Sequence, residues 1–214
     1  MSVDKMAIFD LDGTLNDVNL FAVRAFHKAM EELGITDSLS GEEITSMFGA
    51  PWNTITSTLL PNISKETMEK LNELIDKYEF EFVELYGKSF PGTIESLEKL
   101  RENGYFIAVC SNSRIVYINK VTAAIGIDHL LDHKQELHDG CKKDDMVKLI
   151  LDTFVPEKAV MVGDRVYDMD AAISNGIPFI GCMYGCAPHE METVECKIDG
   201  AHQIYDAVCE VLEM

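Results

Sequence analysis

The chain has 214 residues, 47% of them hydrophobic, enough to bury a full core and to divide into one large domain with a smaller companion. Its 37 acidic against 18 basic residues give a formal charge of -19. That balance disfavours a broad electrostatic footprint on nucleic acid or an anionic membrane, but not a small anionic substrate held by a local cation. No apolar stretch reaches the roughly 18 residues of a membrane span, and the start, MSVDKMAIFD, lacks the basic-then-apolar pattern of a secretion signal. Six cysteines are scattered without a CxxC pair and read as reduced thiols, so the expected location is the cytoplasm.

In chain order, the first predicted element is a buried strand, MAIFDL (6–11), and it carries Asp10 and Asp12 at its end. An unpaired buried carboxylate is costly enough that it normally finds a partner, binds a metal or loses its charge. Residues i and i+2 of a strand point to the same side, and Gly13 then lets the chain turn, so both carboxylates can face one ligand. A plain turn at Asp12-Gly13, with Asp10 capping a helix, accounts for the same residues.

The next segment, 16–88, contains no convincing strand and reads as several helices. In TMEKLNELIDKYEFEFVELY, Met68, Leu71, Leu74, Ile75, Tyr78, Phe82 and Leu85 recur at helical spacing, which predicts a helical core. An insertion of this size forms a helical cap domain over 16–88, joined to the rest near 14–18 and 87–92, where Pro91 and Gly92 punctuate the return. The main domain is then 1–15 together with 89–214. Within the cap, Trp52 and Asn53, with the nearby Arg24, His27 and Lys28, are candidates to face a substrate, although cap packing or a solvated helix surface is the favoured account of each.

Beyond the insertion, strands are predicted at YFIAVCS (105–111), AVMVGD (159–164) and PFIGCM (178–183), separated by segments long enough for crossover helices. This alternation predicts an α/β fold, a Rossmann-like parallel sheet with helices on both faces. Asp10, Asp12, Ser111 and Asp164 fall at or just past the carboxyl ends of those strands, where open α/β sheets place their ligands.

VCSNSR offers Ser111 and Asn112 as donors to phosphate oxygens, or as ordinary helix caps. CKKDDM offers Lys142 and Lys143, either phosphate-neutralising or solvated. VGDRVYDMDAA brings Asp164 at a strand end and Asp168 four residues later. The two could share a hard cation such as Mg²⁺ with the first pair, or Asp168 could simply favour a helix N-terminus. His129, His133 and His138 in DHLLDHKQELHDG read as surface helix or loop.

FDLDGTL, VCSNS, a downstream lysine and VGDRVYD, in that order, resemble the haloacid dehalogenase-like hydrolases. SFPGTIESLEKLRENGYFIAVCSN further resembles the branch of phosphoglycolate phosphatases and β-phosphoglucomutases, which carries a helical cap between the first and second motifs. The resemblance implies Asp10 as nucleophile, Asp12 as general acid and base, and Ser111 as a phosphate contact. It implies Mg²⁺ held by Asp10, the Asp12 carbonyl and Asp164, with Asp168 supporting it, and a lysine binding phosphate and steadying Asp10. Lys143 is favoured over Lys142 for that role, although neither precedes the proline usual in this branch. Asp17 is followed by Val18 where many relatives have serine or threonine.

A second aspartate suits phosphoester cleavage, because an alkoxide leaving group needs a proton that a departing halide does not. The expected activity is therefore a Mg²⁺-dependent phosphatase of a small phosphorylated metabolite, acting through an aspartyl-phosphate. A β-phosphoglucomutase-like sugar phosphate mutase is the enzymatic alternative. A non-catalytic phosphate- and metal-binding module is the other, and it would have no need of Asp12.

Overall fold

The computed structural model describes residues 3–36, 39–49 and 52–213, with the side chains of residues 52, 53, 56 and 57 outside that description. The apolar runs form parallel strands β1 (Lys5–Phe9), β2 (Phe106–Cys110), β3 (His133–Gln135), β4 (Lys158–Gly163), β5 (Phe179–Cys182) and β6 (Lys197–Ile198), in the order β3-β2-β1-β4-β5-β6. β1 lies between β2 and β4, so the chain runs outward from it first one way and then the other. The crevice at the carboxyl ends of these strands is the switch point of the sheet.

The strand period of two sends alternate residues to opposite faces, and both faces are covered. Ala7, Phe9, Ile107, Val109, Val160 and Val162 share one core cluster. It also takes in Leu97 and Leu100 of α5 (Thr93–Glu102), Ile118 and Val121 of α6 (Ile115–Ala124), and Ile204 and Val208 of α10 (Ile204–Glu213). Met6, Ile8, Ala108, Cys110 and Met161 form the other cluster, with Met146, Val147 and Ile150 of α7 (Lys143–Phe154) and Ala171 and Ala172 of α8 (Val166–Ser174). The fold is the α/β Rossmann-like arrangement that the alternation predicts.

Between β1 and β2 the chain is helical: α1 (Ala22–Glu32), α2 (Gly41–Thr45), α3 (Trp52–Leu59) and the long α4 (Lys65–Tyr86). Ser40 and Ser64 open α2 and α4 by accepting hydrogen bonds from the third residue on, Glu43 N–H at 3.2 Å and Thr67 N–H at 3.1 Å. Phe26 and Ala29 of α1 are buried with Leu71, Ile75 and Tyr78 of α4. Leu85, part of the predicted stripe, is 64% exposed instead, and Val83 takes the buried position. The long helix keeps the predicted face until its last turn.

The two connections to this insertion lie side by side. Asn16 bridges antiparallel to Ser89, Asp17 N–H donates to the Lys88 carbonyl at 3.0 Å, and Phe90 N–H donates to the Leu15 carbonyl at 3.1 Å. Both crossings into the helical segment thus form one short ribbon beside the end of β1.

Candidate active site

Asp10 follows β1 directly, and its N–H still donates to the Val162 carbonyl of β4 at 2.9 Å. Asp12 lies in the turn beyond, Ser111 just after β2, and Asp164 just after β4. All four side chains are buried. The turn requires Gly13 twice over: its φ is +87°, and a Cβ there would stand 2.2 Å from an Asp164 carboxylate oxygen. A Cβ at Gly185 would likewise stand 2.2 Å from the Asp164 Cβ, so this residue too must be glycine for Asp164 to fit. Asp164 is held further by Cys186 N–H, donating to Oδ2 at 2.6 Å, and by the Thr14 hydroxyl, donating to Oδ1 at 3.4 Å.

Asp168 does two things at once. Its Oδ2 accepts the Arg165 N–H at 3.0 Å, capping α8, while its Oδ1 turns inward toward Asp10 and Asp164. Ligand oxygens of Asp10, Asp164 and Asp168 lie within 4.8 Å of one another. Helix cap and carboxylate cluster, alternatives in the sequence, thus meet in one side chain.

Lys143 enters the cluster from the first turn of α7. Its Nζ lies 2.5 Å from Asp10 Oδ1 and 2.5 Å from Asp168 Oδ1, and the side chain is 5% exposed. Lys142 is exposed, and its N–H is capped by the Asp145 carboxylate at 2.9 Å. Helical register thus puts one lysine of the pair inside and the other out. Burial alone would favour a neutral Lys143 amine, but Asp10 and Asp168 outweigh it and raise its pKa, so it stays charged.

The site still holds more negative than positive charge. Burial, with the Asp10 and Asp168 charges adding to it, raises Asp164 well above the usual carboxylate range, and burial together with Asp10, against the pull of Lys143, raises Asp168 to about 6. Asp168 Oδ1 is buried without a hydrogen bond of its own, having only the ionic contact with Lys143. A set of converging carboxylate oxygens with one cation among them fits a hard divalent ion such as Mg²⁺.

Asp12 faces a cavity of about 420 Å³ that Asp10, Ser111 and Asn112 also line. Its Oδ1 accepts from Asn16 Nδ2 at 2.6 Å and from the Tyr117 hydroxyl at 3.1 Å. Oδ2 is left to carry a proton. Burial raises the Asp12 carboxyl to about 7, against the opposing pull of the Asn16 bond, so it holds and releases a proton near neutrality. The Ser111 Oγ accepts Ser113 N–H at 3.2 Å, which leaves its hydroxyl hydrogen to donate elsewhere.

Two strand-end side chains reach across to the helical insertion. Asn112 Nδ2 donates to the Gly49 carbonyl at 2.7 Å, and the Arg165 guanidinium donates to the Phe48 carbonyl while pairing with Glu190 at 3.1 Å. The Asn112 amide is therefore committed to the segment roofing the cavity.

Arg24, His27 and Lys28 line a separate surface depression with Glu31, Phe82 and Tyr86. There Arg24 stacks on Tyr86 and Lys28 pairs with Glu31 at 2.7 Å. Trp52 and Asn53, the other cap candidates, have side chains outside the described residues. Among the described residues the three-carboxylate cluster contains no histidine. His129 and His138 are exposed, and His133 packs on Phe154.

Tyr117 and Glu79 also line the cavity and were not singled out in the sequence. Glu79 had a legible signal: with Asn72, Asp76 and the buried Val83 it occupies one ridge of α4, at successive steps of three or four residues. Burial pushes its carboxyl up to about 8, with the Asp12 and Asp76 charges adding to the shift. These raised values have a stability consequence. A carboxyl near pKa 4 in the unfolded chain and at 7 or 8 when folded binds more protons in the fold across that window, so stability falls as pH rises through it. In chelator, the protein is expected to melt at least about 2 °C lower at pH 8.5 than at pH 5.5, and Mg²⁺ should narrow the gap. Equal melting temperatures by calorimetry would contradict the buried-acid site.

Carboxylates gathered at two adjacent strand ends of a parallel sheet, with a buried lysine between them and a helical insertion following the first strand, define a hydrolase of the α/β class. The haloacid dehalogenase-like hydrolase family matches residues 7–182, and the chain belongs to that family. It is 29% identical over 203 residues to the phosphoglycolate phosphatase of Haemophilus influenzae strain 86-028NP, covering 85% of this chain and 86% of that protein. It is 28% identical over 185 residues to a 5'-nucleotidase of Pseudomonas aeruginosa, covering 83% and 82%. Among solved structures, a predicted phosphoglycolate phosphatase from Haemophilus somnus superposes with a TM-score of 0.87 at 20% identity, covering 96% of this chain and 98% of that one. CbbY from Rhodobacter sphaeroides, in complex with phosphate, gives 0.82 at 16% identity, covering 99% and 100%. At those identities the structural likeness speaks for the fold.

Proposed function

We propose that this enzyme is a phosphatase of a small phosphomonoester, working by phosphoryl transfer to Asp10 and then to water. The observation that carries this reading is Lys143, buried and bridging Asp168 to Asp10, which lines the cavity together with Asp12, an acid poised to exchange a proton. The phosphatase names of its relatives support it.

In the first half-reaction a carboxylate oxygen of Asp10 attacks phosphorus, the ester P–O bond breaks, and the Asp12 Oδ2 proton passes to the departing alkoxide. In the second, Asp12 takes a proton from water as that water attacks phosphorus, and the bond to Asp10 breaks to release phosphate. Asn16 and Tyr117 hold Asp12 in place for both transfers. Lys143 and the Ser111 hydroxyl receive the phosphoryl oxygens, with Asn112 contributing from its main chain because its amide is engaged with Gly49. Asp10, the Asp12 carbonyl, Asp164 and Asp168 would hold Mg²⁺, which supplies positive charge for the phosphoryl oxygens when bound. The helices of 16–88 act as a cap domain on the core of 1–15 and 89–214.

Purified protein should release phosphate from a phosphomonoester panel with Mg²⁺ and lose that activity in chelator. Sugar phosphate isomerisation without phosphate release would instead establish a mutase, and inertness across the panel a binding module. Asp12→Ala should reduce turnover of an alkyl phosphate at least about a hundredfold, and of p-nitrophenyl phosphate less in the first step, because that leaving group needs little protonation. Equal losses in burst-phase rates for the two substrates would remove Asp12 from the acid role.

A further inference from the structure

One wall of the cavity is built by α4, which contributes Asn72, Asp76 and Glu79 to the lining that Asp10 and Asp12 share. Asp76 is ion-paired with Arg114, the one cation lining the cavity among the described residues. Glu79 has neither an ion-pair nor a hydrogen-bond partner among the described residues, and Asn72 Oδ1 is a buried acceptor that accepts nothing. A protein normally leaves such groups unsatisfied only where something else completes them. The same cavity is lined by the aromatic rings of Phe26 and Phe48. Carboxylate and amide acceptors beside aromatic faces are a setting for an ammonium group, which donates hydrogen bonds to the former and is attracted to the negative ring faces of the latter.

Resting on the phosphatase reading, we propose that the preferred substrate is a phosphomonoester whose leaving alcohol carries an ammonium group, received by Glu79 and Asn72. A carboxylate-bearing leaving group such as glycolate would meet Glu79 and Asp12 and find only Arg114, already engaged by Asp76. Neutral polyols could bond the acceptors but would leave on Glu79 the proton that burial holds there, whereas an ammonium group would favour its carboxylate.

The test separates binding from turnover by using non-hydrolysable phosphonates in the presence of Mg²⁺. Calorimetric titration should show 2-aminoethylphosphonate binding at least about tenfold more tightly than 2-hydroxyethylphosphonate, and phosphonoacetate weakest of the three. In Glu79→Gln, which keeps the size of the side chain, the tenfold preference should fall to about twofold or less, and Glu79→Lys should move it toward phosphonoacetate. Circular dichroism melts confirm that each variant is folded. A wild-type order with the hydroxyl or carboxylate ligand tightest, or a preference unchanged in Glu79→Gln, would overturn the proposal. An amine preference with no turnover of 2-aminoethyl phosphate or p-nitrophenyl phosphate would leave the ammonium subsite of Glu79 and Asn72 standing and remove the phosphatase reading instead.

Discussion

Replacing Asp10 by Asn is expected to lower turnover at least about a thousandfold, with the fold and the melting temperature close to those of the parent. The amide is nearly isosteric, so the β1 turn and the packing against Val162 persist. What is lost is the anion that attacks phosphorus, and with it half of the charge that holds Lys143 at 2.5 Å. The measurement is steady-state kinetics on separately expressed protein free of host phosphatase. Turnover within tenfold of the parent would take the nucleophile's role away from Asp10.

Lys143→Met should be nearly as damaging, and in a different way. It leaves Asp10 and Asp168 facing each other in a dry site with no protein cation between them, and breaking a buried ion pair typically costs about 3 kcal/mol or more. The variant is therefore expected to melt lower than the parent in chelator, to regain part of that loss with Mg²⁺, and to turn over at least about a hundredfold more slowly. Lys143→Arg restores the charge but not the compact ammonium geometry, so it should recover stability more than rate. Thermal melts with and without Mg²⁺, set beside kcat, check this. A Lys143→Met protein with parental kcat would show that the lysine serves packing alone.

Much of this site was legible in the sequence because a strand that delivers carboxylates breaks the ordinary rule for buried runs. Asp10, Asp12, Ser111 and Asp164 each follow an apolar strand, and the parallel order of those strands is enough to bring their ends together. Lys142 and Lys143 could not be told apart by composition. Their difference is one residue of helical phase, about 100° around α7, fixed only when Met146, Val147 and Ile150 dock on the sheet.

The strands β3 and β6 left no pattern, since three and two residues at or near a sheet edge are too short to alternate. Tyr117 and Glu79 were hidden for another reason. Each sits on a helix that packs from a distance in sequence, and their meeting with Asp12 depends on how α4 and α6 lie across the β2 end of the sheet. Arg24, His27 and Lys28 are close in sequence to the site, but α1 places them at a separate depression, in line with the solvated-surface reading.

The central claim is that phosphoryl passes through Asp10, and the direct measurement is mass spectrometry of the intact intermediate. Asp12→Asn protein is mixed with p-nitrophenyl phosphate, whose leaving group needs little protonation, and Mg²⁺, then quenched in acid, digested and mapped. Because the amide at residue 12 cannot activate water, the second half-reaction is slowed and the adduct should accumulate. The account predicts one phosphoryl group on the peptide bearing Asp10, absent from an Asp10→Asn control and lost on hydroxylamine treatment. Turnover in the parent with no phosphorylated peptide in the trapped variant, or a phosphoryl group on any other residue, would contradict it.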